Sequence, residues 1–237
     1  MTGMTDQKRR RIYLMRHGSV TYFDTNGKPF LPENVPLNEQ GCVQASAAGK
    51  VFAQEKIIFD RVIVSGLPRT VETATRVLAE TGQQINIEQW PEWVELQGGR
   101  LSTIPDSALK EAFTGAFEGV VAENKKFLGG ESIGQMLDRI LPGIDRLLSD
   151  KSWDTVLLVL HGGVNRAILS YALTGQRLFL GNLAQTAGCI NALDVGEAQH
   201  DWVVRFVNYS PLSQLQSTSR ETTMETLLNQ YKKSRGM

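Results

Sequence analysis

Apolar positions in this chain fall into two alternating patterns. Short continuous runs of branched aliphatic residues, IYLM at 12–15, RVIV at 61–64 and TVLLVL at 155–160, read as strands buried on both faces. INIE at 85–88 reads as a weaker strand. Between them lie helical periods. Residues 38–54 predict a helix with Asn38 as N-cap and Val43, Ala47 and Val51 on one face. Pro68 suits the first position of a helix RTVETATRVLAE, and Gly82 suits its C-terminal cap. ESIGQMLDRILPGIDRLLSD predicts a helix with Ile133, Met136, Leu137 and Ile140 inward, kinked or split at Pro142. A further helix, GVNRAILSYALTG, follows TVLLVL.

The pattern breaks over residues 97–130, where glycines, Pro105 and three phenylalanines suggest short helices in a lid-like insertion. Two later runs, CINALDV and DWVVRFVNY, alternate as strands of an antiparallel edge. Met224, Leu227, Leu228 and Tyr231 recur at helical spacing in a tail, about 218–235, that should dock on the body. Strands separated by helices predict an α/β fold, three-layer α/β/α with a mostly parallel central sheet. No repeat or low-complexity linker divides the 237 residues, so a single domain over 1–237 is expected, with its lid and tail.

Composition narrows the partners. Basic and acidic residues are both 25, which gives no global pull toward nucleic acid or an anionic membrane. Cys42 and Cys189 fit no metal-finger or CxxC spacing and read as free thiols. The basic opening segment leads into a strand too short for a secretory core, and VLLVL falls far below the ~20 residues of a membrane span. A cytoplasmic protein is expected, and a homodimer is left open.

Candidate chemistry sits at strand ends. In open α/β sheets ligands bind beyond the carboxyl ends of the strands. RHG at 16–18 follows the first strand, SGLPRT at 65–70 the second, and HGG at 161–163 the run TVLLVL. Arg16, His17, Arg69 and His161 should therefore share one crevice. Glycine lets a ligand approach the backbone, the helix start at Gly162 favours an anion, and arginine forks match phosphate oxygens. Neutral imidazole can attack phosphorus. Together these point to a phosphoryl group.

With those residues in place, the chain resembles the histidine phosphatase superfamily, the phosphoglycerate mutase-like family. RHG, PLNEQG at 36–41, SGLPRTVETA at 65–74, GGES at 129–132 and HGG occur in that family's order over about residues 11–175. The resemblance implies a phosphoglycerate mutase-like fold and a phosphomonoesterase of the histidine acid phosphatase type acting on a small organic phosphate. It implies His17 as the nucleophile that becomes phosphohistidine, and Arg16, Arg69, His161 and the Gly162 backbone as phosphate-binding groups. Glu95 is the implied proton donor, matching the spacing before a Gly-Gly turn better than Glu92. No cofactor or metal is implied, and insensitivity to EDTA is expected.

The chain departs from the family where an asparagine usually stands six residues after the nucleophile. Phe23 occupies that place, leaving Ser19, Thr21 or Asn26 to supply the contact. A mutase is an alternative, but LQGGRLS after Glu95 lacks the Arg and Tyr-Gly-Gly of the mutases, and Lys125-Lys126 stands where they carry an arginine pair. A catalytically weak phosphate-binding member is a second alternative. Tyr22, Phe23, Phe30, Trp90, Trp93 and the lid phenylalanines could line an apolar mouth or pack the lid onto the body. His200 reads as a surface residue.

Overall fold

In the computed structural model, which describes residues 9–24, 28–198, 201–215 and 220–236, six strands form the central sheet in the order β3-β2-β5-β1-β7-β8. They are β1 (Arg10–Arg16), β2 (Arg61–Val64), β3 (Ile87–Gln89), β5 (Thr155–Leu160), β7 (Ile190–Val195) and β8 (Trp202–Tyr209). β3, β2, β5 and β1 run parallel, β7 is antiparallel to β1, and β8 is antiparallel to β7. The sheet is thus mixed, with the two late strands forming the expected antiparallel side.

The continuous apolar runs are buried on both faces because helices cover both. Ile12 and Leu14 of β1 point to one side, with Ile63, Leu158 and Leu160, under α4 (Ile133–Ser149) and α5 (Gly162–Thr174). Tyr13 and Met15 point to the other, with Val62, Val64, Leu157 and Val159, under α1 (Glu39–Gln54) and α2 (Pro68–Thr81). This is the three-layer α/β/α arrangement. Among the described residues no helix is long and apolar enough to cross a membrane. Both cysteines are free, Cys189 buried and Cys42 half-buried.

Helix ends follow local chemistry. The Asn38 side chain accepts the Gly41 N–H at the start of α1, Ser132 and Gln135 form a capping box on α4, and Gly82 closes α2 in the left-handed conformation. Three expectations need correction. The buried face of α1 is Gly41, Ala45, Ala48, Gly49 and Phe52, while Val43 is 53% exposed. Gly49 faces α2, where a Cβ would lie 3.0 Å from the Val77 Cα, so the two helices pack closely there. The third strand is displaced from 85–88 to Ile87–Gln89. Finally, of the kink or split expected at Pro142 the split does not occur, and α4 is one helix from Ile133 to Ser149. A mid-helix proline costs about 3 kcal/mol. Burial of Met136, Leu137, Ile140, Ile144 and Leu147 on the same helix, at roughly 1.5–3 kcal/mol each, outweighs it.

Residues 101–117 form 3-10 turns and the short helix α3 (Leu109–Thr114). A two-stranded ribbon, β4 (Val120–Val121) with β6 (Phe179–Leu180), ties this segment to the body. The tail helix α6 (Thr223–Ser234) docks as its spacing predicts: Leu228 and Tyr231 are buried against Leu109 and Phe113 of α3.

Candidate active site

Strand register assembles the site. Arg16, the last residue of β1, pairs with Leu160, the last of β5. His17 and His161 therefore leave neighbouring parallel strands together, with ring centroids 5.2 Å apart, edge to face. β2 flanks β5 on its other side, so Ser65 and the first turn of α2, carrying Arg69, border the same crevice. His17 and Arg69 are each 2% exposed and His161 is fully buried. Gly162 opens α5 beside them. Glu95 completes the group, its carboxylate accepting the Gly163 N–H at 3.1 and 3.2 Å.

The hydrogen bonds define how each ring is held. His17 Nδ1 lies 2.7 Å from the Gly18 carbonyl oxygen. A carbonyl only accepts, so Nδ1 carries the proton of the neutral ring and Nε2 keeps its lone pair. His161 Nε2 lies 2.8 Å from Ser65 Oγ, which lies 3.1 Å from Thr70 Oγ1, which donates to the Leu67 carbonyl at 2.8 Å. The neutral His161 ring can meet an anion through Nδ1 in the tautomer in which Nδ1 carries the proton and Nε2 accepts from Ser65 Oγ. Sequence reading placed Ser65 at the strand end but gave it no task, and Thr70 was missed. Pairing across residues 65 and 161 leaves no local signal.

The arginines are anchored at one end. Arg16 Nη1 donates to the Gln185 carbonyl at 2.5 Å and to Thr223 Oγ1 at 2.9 Å, and Arg69 Nη1 donates to the Pro32 carbonyl at 2.6 Å. Arg16 Nε, Arg69 Nε and His161 Nδ1 are buried without partners. An unsatisfied buried polar group costs about 1–3 kcal/mol. Several such nitrogens around two imidazoles suit the oxygens of an anion.

Burial, then Arg69 and then Arg16 hold His17 well below the ordinary histidine range, against a smaller opposing pull from the Gly18 carbonyl. Burial, Arg69, His17 and Arg16 do the same to His161. Both rings are neutral at pH 7. The unfolded chain takes up protons below about pH 6.5 that the folded pocket refuses. The stability contributed by the neutral rings is thus present above that pH and lost as pH falls below it. Stability in a phosphate-free buffer should drop between pH 7.5 and 5.5, by up to about 1.4 kcal/mol per histidine per pH unit, and is read as a falling melting temperature. A flat profile across that window would contradict the neutral pair.

The two candidate acids separate cleanly. Glu92 turns outward to Arg146, 2.7 Å away, whereas Glu95 faces α5. Glu95 Oε1 also accepts the Leu96 N–H at 2.9 Å, leaving Oε2 the less engaged oxygen. Its loop is held by Arg139, which donates to the carbonyls of Glu92, Val94 and Glu95 and forms a two-pronged ion pair with Glu131. A Cβ at Gly163 would lie 2.6 Å from Glu95 Oε1, so that glycine makes the seat possible.

Other expectations change. Gly18 was read as room for a ligand, yet a Cβ there would lie 2.8 Å from the Gly41 Cα, against the start of α1. Gly18 serves backbone packing. Phe23 stacks toward Tyr231 of α6, ring centroids 6.4 Å apart. Thr21 Oγ1 is engaged by the Asn38 amide, the Ser19 backbone N–H donates to Gln44, and Asn26 and His200 lie outside the described residues. Thr223, from the tail, accepts a hydrogen bond from Arg16. Trp90, Trp93, Phe113 and Phe127 are buried in the core, and Trp93 Nε1 donates to the Ile140 carbonyl. These four pack the insertion onto the body, whereas Phe30 of the first loop is 49% exposed and lines a surface pocket. Lys125 pairs with Glu111, and Lys126 is exposed. Among the described residues no cluster of three or more His, Cys, Asp or Glu side chains could hold a metal.

Known proteins resemble this chain in sequence and in fold. The chain is 30% identical to a 2,3-bisphosphoglycerate-dependent phosphoglycerate mutase of Rhizobium etli over 66% of its length and 77% of that protein's. It is 27% identical to the adenosylcobalamin/alpha-ribazole phosphatase of Salmonella typhimurium over 79% of its length and 91% of the relative's. A mycobacterial glucosyl-3-phosphoglycerate phosphatase, solved with inorganic phosphate, superposes with a TM-score of 0.65 at 22% identity over 85% of this chain and 98% of its own. The model of the histidine phosphatase superfamily (branch 1) matches residues 12–209, beginning inside β1 and ending with β8. The chain is a member of that superfamily, whose relatives include both phosphatases and mutases.

Proposed function

We propose that this protein is a phosphomonoester hydrolase working through a phosphohistidine on His17, with a small organic phosphate as substrate. The observation that carries the reading is the 2.7 Å contact between His17 Nδ1 and the Gly18 carbonyl, which leaves Nε2 as a lone-pair nucleophile in a ring kept neutral by its surroundings. Arg16, Arg69, His161 and the Gly162 backbone N–H hold the phosphoryl oxygens. Nε2 attacks phosphorus, the bond to the ester oxygen breaks, and Glu95 gives that oxygen a proton. Water then attacks the phosphorus of the phosphohistidine, the N–P bond breaks, Glu95 takes the water's proton, and orthophosphate leaves. Fixed cations around the equatorial oxygens stabilise charge that spreads in each transition state.

Hydrolysis is favoured over mutase chemistry because the insertion offers little to hold a second phosphoacid. Lys125 is committed to Glu111, and the segment after Glu95 carries neither the Arg nor the Tyr-Gly-Gly that the mutases use. The α3–α6 pair, with Phe23, acts in this reading as a lid whose edge reaches Arg16 through Thr223.

Rapid alkaline quenching of the protein during turnover of p-nitrophenyl phosphate should trap a phosphoryl group on His17, read by peptide mass spectrometry. Turnover with phosphate found on no histidine, or on another one, overturns the mechanism.

A further inference from the structure

The guanidinium of Arg16 is held on one side and open on the other. Nη1 carries two N–H groups, and both find acceptors: the Gln185 carbonyl at 2.5 Å and Thr223 Oγ1 at 2.9 Å. Nε is buried without a partner, and among the described residues Nη2 makes no hydrogen bond. Nε–H and the adjacent Nη2–H lie parallel on one edge of the planar fork, the pair that meets two oxygens of one anion. That edge borders the head of α5. A Cβ on Gly162 would lie 3.5 Å from Arg16 Nε and 3.2 Å from Arg166 Nη1.

The two anchors of Nη1 differ in kind. Gln185 is buried, and its side chain exchanges two hydrogen bonds with Asn191 of β7, which also donates to the Leu14 carbonyl. That anchor belongs to the core of the sheet. Thr223 is exposed and is the first residue of α6, beyond the residues 12–209 that the superfamily model matches. It is carried to Arg16 by a helix docked further along its length, where Leu228 and Tyr231 are buried against Leu109 and Phe113. Thr223 does not cap that helix. Thr222 closes the capping box with Glu225, so the Thr223 hydroxyl is spare for the arginine.

A planar fork held by one acceptor swings about that contact. Two acceptors on one nitrogen, met in different directions, fix its plane. With Gln185 alone, Arg16 is free to turn its open edge away from the phosphoryl oxygens.

We propose that Thr223 is a positioning residue: its hydroxyl, delivered by the docked tail helix, fixes the plane of Arg16 so that Nε and Nη2 face the phosphoryl group. This rests on the phosphate grip of the hydrolase reading and adds a residue of the tail to it.

Thr223→Val keeps the shape and removes the acceptor, and Thr223→Ser restores the acceptor. Melting temperature, kcat/KM for p-nitrophenyl phosphate and calorimetric affinity for inorganic phosphate are measured for wild type, both variants, Arg16→Met, and Arg16→Met combined with Thr223→Val. Thr223→Val should lower kcat/KM and phosphate affinity about tenfold, the scale of a lost hydrogen bond to a charged group. Its melting temperature should stay within about 2 °C of wild type. Thr223→Ser should keep most of both values. On Arg16→Met, the valine should weaken phosphate binding no further, because the group it positions is gone.

Wild-type values in Thr223→Val overturn the assignment. So does a loss that Thr223→Ser does not recover, which marks packing by the Thr223 methyl group. A loss of equal size on Arg16→Met also overturns it, since the effect then bypasses Arg16. Where Arg16→Met binds no phosphate, the single variants decide. If wild type binds phosphate but does not hydrolyse p-nitrophenyl phosphate, the hydrolase reading fails alone and the affinities decide the assignment. If wild type binds no phosphate, both fail.

Discussion

His17→Ala should lower turnover of p-nitrophenyl phosphate on the order of 10⁴-fold or more, the scale of loss when a covalent nucleophile is removed. Nothing else in the crevice can take its place. His161 has its Nε2 committed to Ser65, and Glu95 is tied to the first turn of α5. Stability should change far less. Among the described residues the His17 ring hydrogen-bonds only to the neighbouring Gly18 carbonyl, worth about 1 kcal/mol, or roughly 2–4 °C in a domain of this size. The pairing of a large kinetic loss with a small shift in melting temperature is the diagnostic result. Activity retained within about tenfold of wild type would remove His17 from the chemistry.

Gly18→Ala should instead lose stability and activity together. The new methyl group would lie against the Gly41 Cα at 2.8 Å and nearer still to the Gly41 carbonyl oxygen. Both are backbone atoms, so no side-chain rotation can relieve the contact, and Gly41 in turn is closed in by the Ser19 backbone. Overpacking of this kind costs about 3 kcal/mol at the upper end of its usual range, which corresponds to about 6–12 °C in melting temperature. Any relief must move residues 17–19 or the start of α1. An ångström of displacement at His17 would cost about 10²-fold in rate. Differential scanning fluorimetry and an aryl phosphate assay measure both. A melting temperature within about 2 °C of wild type would show that the loop and α1 give way easily, and that Gly18 is there for another reason.

These two neighbours illustrate what could be read in advance. RHG marked the site, since a strand-like run ending in a cation, an imidazole and a glycine is a local signal. The reason for the glycine was not legible. It depends on Gly41, a residue on another element whose approach only the packed structure defines. Phe23 shows the same division. Its departure from the family pattern was visible in the chain, while its partner Tyr231 lies on the tail helix. The glycines and Pro105 of residues 97–130 showed in the chain as a break in the pattern, but the β4–β6 ribbon that ties this segment down pairs two-residue strands too short to leave a periodic trace.

The chain by itself determined the elements with strong local codes: strands written as unbroken aliphatic runs, helices with Asn38 and Gly82 at their ends, and the order of the RHG, SGLPRT and HGG motifs. It also placed His17, Ser65 and His161 at strand ends, with Arg69 near the same crevice, because an α/β sheet gathers those ends on one side. Only the tertiary structure turned Glu92 to Arg146 and Glu95 to α5, linked His161 to Ser65 and Thr70, brought Thr223 to Arg16, and set Arg166 beside Arg16 with no ion pair among the described residues. The physical reason is range. Caps and apolar runs are settled by neighbours a few residues away, whereas the partner of a buried charge is set by which distant backbones come within hydrogen-bonding distance.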